Sequence, residues 1–176
     1  MAEKFTVKFI DNEQELLAAE RLRYQMLVEF GAQEQDEQRD YSSVDDDALH
    51  IVAVDNDTSQ VVGYYRMLTT EVVGSGAFIC EDEFNIDELK RSGEKLCELS
   101  RAIIKKEYRG STVAMLLWRF ILNFALKSGY RYLMGDVSFN GTNRDDFLQE
   151  ISYLANNHGI DPNYKIVSRD VLPPLK

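Results

Sequence analysis

The chain carries 176 residues with a formal net charge of −10, 44% hydrophobic and 11% aromatic residues, and three prolines. That composition excludes a disordered chain and predicts one folded domain over residues 1–176 with a sizeable core. No apolar run approaches the roughly 18 residues of a membrane span, and the acidic balance disfavours nucleic acid as a general partner.

Phe5–Ile10 alternates apolar and polar residues, the pattern of a half-buried strand. Asp11 or Asn12 can cap a helix from Glu13 to Phe30, with Leu16, Ala19, Met26 and Phe30 on its apolar face and Gly31 ending it. Ala32–Asp47 is a polar, acidic connection, and its length of about sixteen residues suits a loop that covers a substrate. Leu49–Val54 and Val61–Leu68 predict an antiparallel hairpin, with Arg66 facing either solvent or a cleft. Thr69–Phe84 is mixed, with Gly74 and Gly76 in a turn, and Ile86–Ser92 reads as a short helix.

Cys97–Asn140 reads as strand, basic turn, amphipathic helix and strand. Cys97–Ile104 embeds Glu98, Ser100 and Arg101 where a purely structural strand would carry apolar residues. Lys105–Gly110 supplies Lys105, Lys106 and Arg109, and Gly110 opens a helix over Ser111–Lys127. Val113, Leu117, Phe120, Ile121 and Phe124 form its core-facing stripe, with Arg119, Asn123 and Lys127 on another face. Tyr132–Phe139 is the returning strand. A basic turn that feeds free N–H groups into a helix start suits a phosphate, and an ordinary crossover with solvated lysines has the same spacing. Asn143–Asn157 reads as a helix with Phe147, Ile151 and Leu154 on one side, and Asp161–Lys176 as irregular chain that Pro173–Pro174 keeps from regular structure.

Charge is segregated along the chain. Between Glu29 and Asp57 ten acids stand against Arg39 alone; between Lys105 and Arg131 six bases stand against Glu107 alone. The first run is either a solvated acidic loop or a lure for a cationic substrate, and the second suits an anionic group or an acidic protein. Cys80 and Cys97 show no metal-ligand spacing and read as buried thiols; His50 and His158 read as structural residues. The start M-A-E-K-F lacks the apolar core of a signal peptide, so a cytoplasmic location is expected.

The run E-L-S-R-A-I-I-K-K-E-Y-R-G, the helix L-L-W-R-F and the later S-F-N-G-T, with R-L-R-Y-Q-M-L-V-E-F, V-D-D-D-A-L-H, V-V-G-Y-Y-R-M-L and I-S-Y-L-A-N-N-H, lie in one order over residues 16–160. Together they resemble the ornithine N-acyltransferase family (ornithine lipid synthase, hemolysin-like), GNAT-fold acyltransferases related to the acyl-homoserine-lactone synthases. The resemblance implies a mixed α/β fold, mostly antiparallel, with helices on both faces and C-terminal strands missing or shortened, since longer relatives continue past L-P-P-L-K.

It also implies transfer of a fatty acyl group from acyl carrier protein, or coenzyme A, to a primary amine, with ornithine first in view. No permanently bound cofactor and no metal are implied; the donor thioester is a co-substrate. By the family's motifs Glu98 is the general base, with Ser100 and Arg101 in the catalytic group; Arg23, Asp45 and Arg66 line the amine and acyl cleft. Lys105, Arg109, Gly110 and Ser111 match the loop that holds the donor's phosphate, although it has a single glycine, and Ser42 stands where lactone synthases carry the first acid of a D-x-x-D pair. Peripheral membrane contact through the product fits the same expectation, and oligomeric state is open. The rival expectations are a lactone-type synthase or a small-amine acetyltransferase, separated by pocket length behind Trp118 and Phe120, and a thioester-binding module without catalysis.

Overall fold

The computed structural model describes residues 3–137, 139, 141, 143–159 and 162–169. Strands β1 (Phe5–Phe9), β2 (Leu49–Asp55), β3 (Gln60–Thr69), β5 (Leu96–Ile104) and β6 (Tyr132–Met134) form one sheet in the order β1-β2-β3-β5-β6. β1, β2, β3 and β5 pair antiparallel, whereas β5 and β6 run parallel. A ribbon of β4 (Phe84–Asn85) and β7 (Val167–Ser168) packs near β6 through Phe84, Tyr132 and Met134.

Helices cover both faces of the sheet, so its central strands are apolar on both sides rather than alternating. Ile51 and Ala53 of β2 join Met67, Cys97 and Leu99 under Val113, Leu117 and Ile121 of α4 (Val113–Ser128). Val52, Tyr64 and Ile103 face the other way, onto Ala19 and Leu22 of α1 (Glu13–Glu29). Gly63 lets α4 approach closely, because a Cβ there would lie 2.9 Å from both Leu117 and Val113. A third cluster, Leu68, Phe78, Cys80, Ile86, Leu89 and Leu96, closes the end that α2 (Thr70–Val73) and α3 (Asp87–Arg91) cover. α5 (Leu148–Asn157) follows a short turn at Arg144–Phe147.

The mixed, mostly antiparallel α/β class holds, and several boundaries move. Asn12 is the α1 cap, its Oδ1 accepting the Glu15 N–H at 2.9 Å. The buried face of α1 is Ala19, Glu20, Leu22, Arg23 and Tyr24, while Phe30 is 60% exposed. A search for apolar period alone misses that face, because two of its five members are charged and fully paired. The acidic connection is ordered in part: Ser43–Asp46 forms a 3-10 turn that delivers Asp45 to the interior. The returning strand ends at Met134, not Phe139, and Ser138, Asn140 and Thr142 of the S-F-N-G-T motif lie outside the described residues. Within the segment expected to be irregular, Val167–Ser168 pairs with β4, and Pro173–Pro174 lies outside the described residues. No helix among the described residues is long and apolar enough to cross a membrane.

Candidate active site

The sheet opens where β5 leaves β6. Their pairing covers only Leu96–Glu98 against Tyr132–Met134. At Gly135 the two backbones press together, since a Cβ would sit 2.6 Å from the Leu99 carbonyl oxygen. On the other edge of β5, the register with β3 jumps from Tyr64↔Ile103 to Arg66↔Ser100, so Tyr65 faces two residues, Arg101 and Ala102. Arg101 takes a φ of 52°, the left-handed conformation that costs a non-glycine residue about 1–2 kcal/mol. Such a bulge bends its strand. Beyond Glu98 the outer edge of β5 therefore has no strand partner among the described residues, and its backbone groups can receive an extended, amide-bearing chain.

Glu98 stands at the apex of this opening and is buried, 1% exposed. Its Oε2 accepts the Ile79 N–H and its Oε1 the Cys80 N–H, both at 2.7 Å, from the first residues of the Ile79–Asp82 turn. Burial pushes the carboxyl above the ordinary carboxylate range; those backbone donors pull it down and the Asp136 charge pushes it up. Burial, with the Glu98 charge beside it, also holds the Cys80 thiol up at about 12. A largely apolar cavity of about 470 Å³ adjoins, lined by Cys80, Phe84, Leu89, Met134, Asp136 and Ile166 among others. Trp118 and Phe120 do not line it: Trp118 packs edge-on against Tyr65, and Phe120 against Phe9.

Arg23, Asp45, Arg66, Ser100 and Arg101, far apart in sequence, meet in one polar network. Arg23 holds both Asp45 oxygens, at 2.7 and 3.0 Å, and donates through Nε to Asp40 at 2.9 Å. Arg66 donates to Asp45 at 3.2 Å, to Ser42 Oγ at 3.3 Å and to Ser100 Oγ at 3.0 Å. Arg101 pairs with Asp40 at 2.9 Å. His50 joins the Tyr64 hydroxyl (2.7 Å) to the Asp45 carbonyl (2.9 Å), the structural role expected of it. Burial opposes the Asp45 charge, but the Arg23 and Ser42 hydrogen bonds outweigh it and bring the carboxyl down to about 2. Glu98 and Arg101 do not pair with each other; each is held by other partners.

The basic turn begins at Lys105, seven residues and about 23 Å along β5 from Glu98 at strand rise, so an anion held there lies a long arm away from Glu98. Gly110 takes a φ of 82°, and Ser111 Oγ donates to the Tyr108 carbonyl at 2.6 Å. Lys105 donates to Gln60 at 3.0 Å, and Arg109 grips Glu29 with both terminal nitrogens, at 2.9 and 2.7 Å. A phosphate at this turn meets Lys106 and the start of α4 first, where Ser111 Oγ accepts the Val113 N–H at 3.3 Å and Thr112 adds no cap, and reaches Arg109 only in competition with Glu29. Among the described residues no three His, Cys, Asp or Glu side chains stand together as a metal site requires.

A family model described as an acetyltransferase (GNAT) domain matches residues 22–119. The chain belongs to the GNAT family. Its curated relatives include an L-ornithine N(alpha)-acyltransferase of Rhodobacter capsulatus, 29% identical over 165 residues (88% of this chain, 64% of the relative), and one of Rhizobium meliloti, 31% identical over 180 residues (91% and 61%). The GNAT chain thus spans a little under two thirds of the length of these relatives. Among solved structures it resembles FeeM, an N-acyl amino acid synthase from uncultured soil microbes (TM-score 0.60, 14% identity, 86% of this chain and 77% of that one). It also resembles BjaI, a CoA-dependent acyl-homoserine lactone synthase (TM-score 0.59, 17% identity, 86% and 72%). At such identities these likenesses show the fold.

Sequence reasoning noted Asp40 only as an acid flanking Ser42 and gave it no site role, whereas it bridges Arg23 and Arg101; it missed Tyr64, whose hydroxyl lies between Arg23 and His50. The density of acids in D-Y-S-S-V-D-D-D was visible and the family motif singled out Asp45, but nothing in the run distinguishes Asp40, turned inward, from its solvated neighbours. Gly135 and the bulge at Arg101 left no sequence signal in this GNAT domain beyond a glycine after a short apolar run.

Proposed function

We propose that this chain is a cytoplasmic N-acyltransferase that moves a fatty acyl group from a thioester to the amine of a small amino-acid-like acceptor such as ornithine. The observation that carries this is the opening of the sheet at Glu98: an unpartnered β5 edge, a buried carboxylate at its apex and an apolar cavity next to it. The ornithine acyltransferase names of the relatives support the choice of acceptor.

In this reaction the donor's amide-bearing arm lies along β5 between the Lys105–Ser111 turn and Glu98, and the acyl chain enters the apolar cavity. An ammonium must lose a proton before it attacks. Glu98 takes that proton, directly or through one water; two of its lone-pair positions are occupied by backbone N–H groups and the Cys80 thiol donates beside them, which leaves a further position for the acceptor. The nitrogen then bonds to the thioester carbon, the C–S bond breaks, and the thiol leaves with a proton. Backbone N–H groups of the splayed edge stabilise the oxyanion as it forms. Arg23, Asp45, Arg66, Ser100 and Arg101 hold the acceptor side of β5 in shape, and the half-exposed Arg101 meets an acceptor carboxylate in competition with Asp40.

The donor is acyl carrier protein. Arg109 is already neutralised by Glu29, which disfavours the crowded phosphates of coenzyme A, while Lys105 and Lys106 still offer a basic docking surface to an acidic protein. Incubation with ornithine and either long-chain acyl carrier protein or long-chain acyl-CoA, read by mass spectrometry, tests both points. N-acylornithine formed faster from the carrier protein is expected; no acylated amine from either donor would overturn the proposal.

A further inference from the structure

Among the described residues nothing covers the outer face of α4, and that face is apolar. Val113, Leu117, Ile121 and Ala125 face the sheet, and on the opposite side Met115, Leu122 and Leu126 are 62%, 44% and 76% exposed, with Trp118, 42% exposed, at the margin where one edge of its ring meets Tyr65. At helical spacing these four form one stripe about 16 Å long. A solvent-facing helix ordinarily places polar residues there.

Charge identifies what covers it. α4 carries no acid, and its two charges, Arg119 and Lys127, are exposed and form no ion pair among the described residues. Arg131, exposed just beyond the helix, adds a third cation. Glu71, which Tyr130 brings toward this end of α4, is already paired with Lys95 at 2.6 Å. On a chain of net charge −10 this is an apolar, cationic pole. A second copy fits poorly, since pairing two such helices across a two-fold axis sets Arg119 and Lys127 against like charges with no acid to offset them. A carrier protein docks where its arm reaches the β5 edge, at the Lys105–Ser111 turn, and Leu126 lies about 20 Å down the helix from there.

We propose that the outer face of α4 is a peripheral membrane-docking surface, seating the protein on an anionic lipid layer with Trp118, Leu122 and Leu126 in the headgroup–acyl boundary. Arg119, Lys127 and Arg131 meet the lipid phosphates, and the net-negative remainder of the chain is repelled, which orients α4 toward the surface. The surface works independently of catalysis, so it stands or falls apart from the acyltransferase proposal.

Trp118 is the sole tryptophan, so its fluorescence reports the contact directly. Vesicles of phosphatidylcholine with phosphatidylglycerol should shift its emission to the blue and carry the chain in flotation, and pure phosphatidylcholine vesicles should bind far less. Leu122→Gln with Leu126→Gln, and separately Arg119→Gln with Lys127→Gln, should each weaken binding by at least about tenfold with circular dichroism unchanged. All four positions are exposed, so the fold tolerates the changes. No shift and no flotation at low salt would overturn the proposal. So would a lipid-independent dimer that the leucine variant abolishes, or a Trp118 shift produced by carrier protein and not by vesicles.

Discussion

Glu98 and Asp45 are both buried carboxylates, yet their surroundings drive them in opposite directions. Among the described residues Glu98 has no cationic partner, only two backbone donors and the Cys80 thiol, and burial raises it toward the range where a carboxylate works as a base. The acid limb of kcat/KM should accordingly lie above the ordinary glutamate range, with rate lost as pH falls through the Glu98 pKa; a pH–rate profile checks this. Glu98→Gln retains one acceptor oxygen for two N–H donors and cannot take a proton. A fall in turnover of at least about a hundredfold is expected, with carrier-protein binding retained; unchanged turnover would remove Glu98 from the mechanism. Asp45 is held near 2 by Arg23 and Ser42, so its contribution to stability is complete above the ordinary aspartate pKa and is lost as pH falls through about 2. Asp45→Asn leaves the buried Arg23 and Arg66 short of a counter-charge and should cost about 3–5 kcal/mol in urea denaturation, the range for breaking a buried pair.

Among the elements, β5 decides the site, and its two irregularities do the shaping. Gly135→Ala puts a methyl 2.6 Å from the Leu99 carbonyl and has to push β6 away. The expected outcome is a loss of about 1–3 kcal/mol in thermal or urea unfolding together with lost activity; a neutral result would mean that the strands are not clamped there. The strand, basic turn and helix of this unit were legible in sequence, because apolar period, the Lys/Arg cluster and Gly110 each mark a local feature. Glu98, Ser100 and Arg101 stood out for the same reason, as polar residues inside a strand. What surrounds them did not, because contacts set it over long separations: Ile79 and Cys80 cap Glu98 from 18 or 19 residues away, and Asp40 reaches Arg101 across two strands. The shift of the α1 face has the same origin. Glu20 and Arg23 are buried because Arg39, Asp40 and Asp45 come to meet them, and those partners lie on the acidic connection that composition alone marks as solvated.

For the whole molecule, the separation of charge matters more than its sum. The acids of residues 29–57 are partly consumed by internal pairing, with Glu29 on Arg109, Asp40 on Arg23 and Arg101, and Asp45 on Arg23 and Arg66. Among the described residues Lys106, Arg119, Lys127 and Arg131 form no ion pair and can meet an outside partner. KM for acyl carrier protein should therefore rise with ionic strength between low and physiological salt, with kcat little changed, since screening weakens docking and not chemistry. Steady-state kinetics in a salt series checks this.

The most direct test of the central claim, that the open edge of β5 receives the donor, is backbone hydrogen exchange with and without a non-hydrolysable long-chain acyl-pantetheine thioether. Binding should protect the amides of residues 99–104 and the start of α4, and leave β1 and β2 unchanged. Saturable binding that leaves 99–104 unprotected, or protects a different face, would contradict the account.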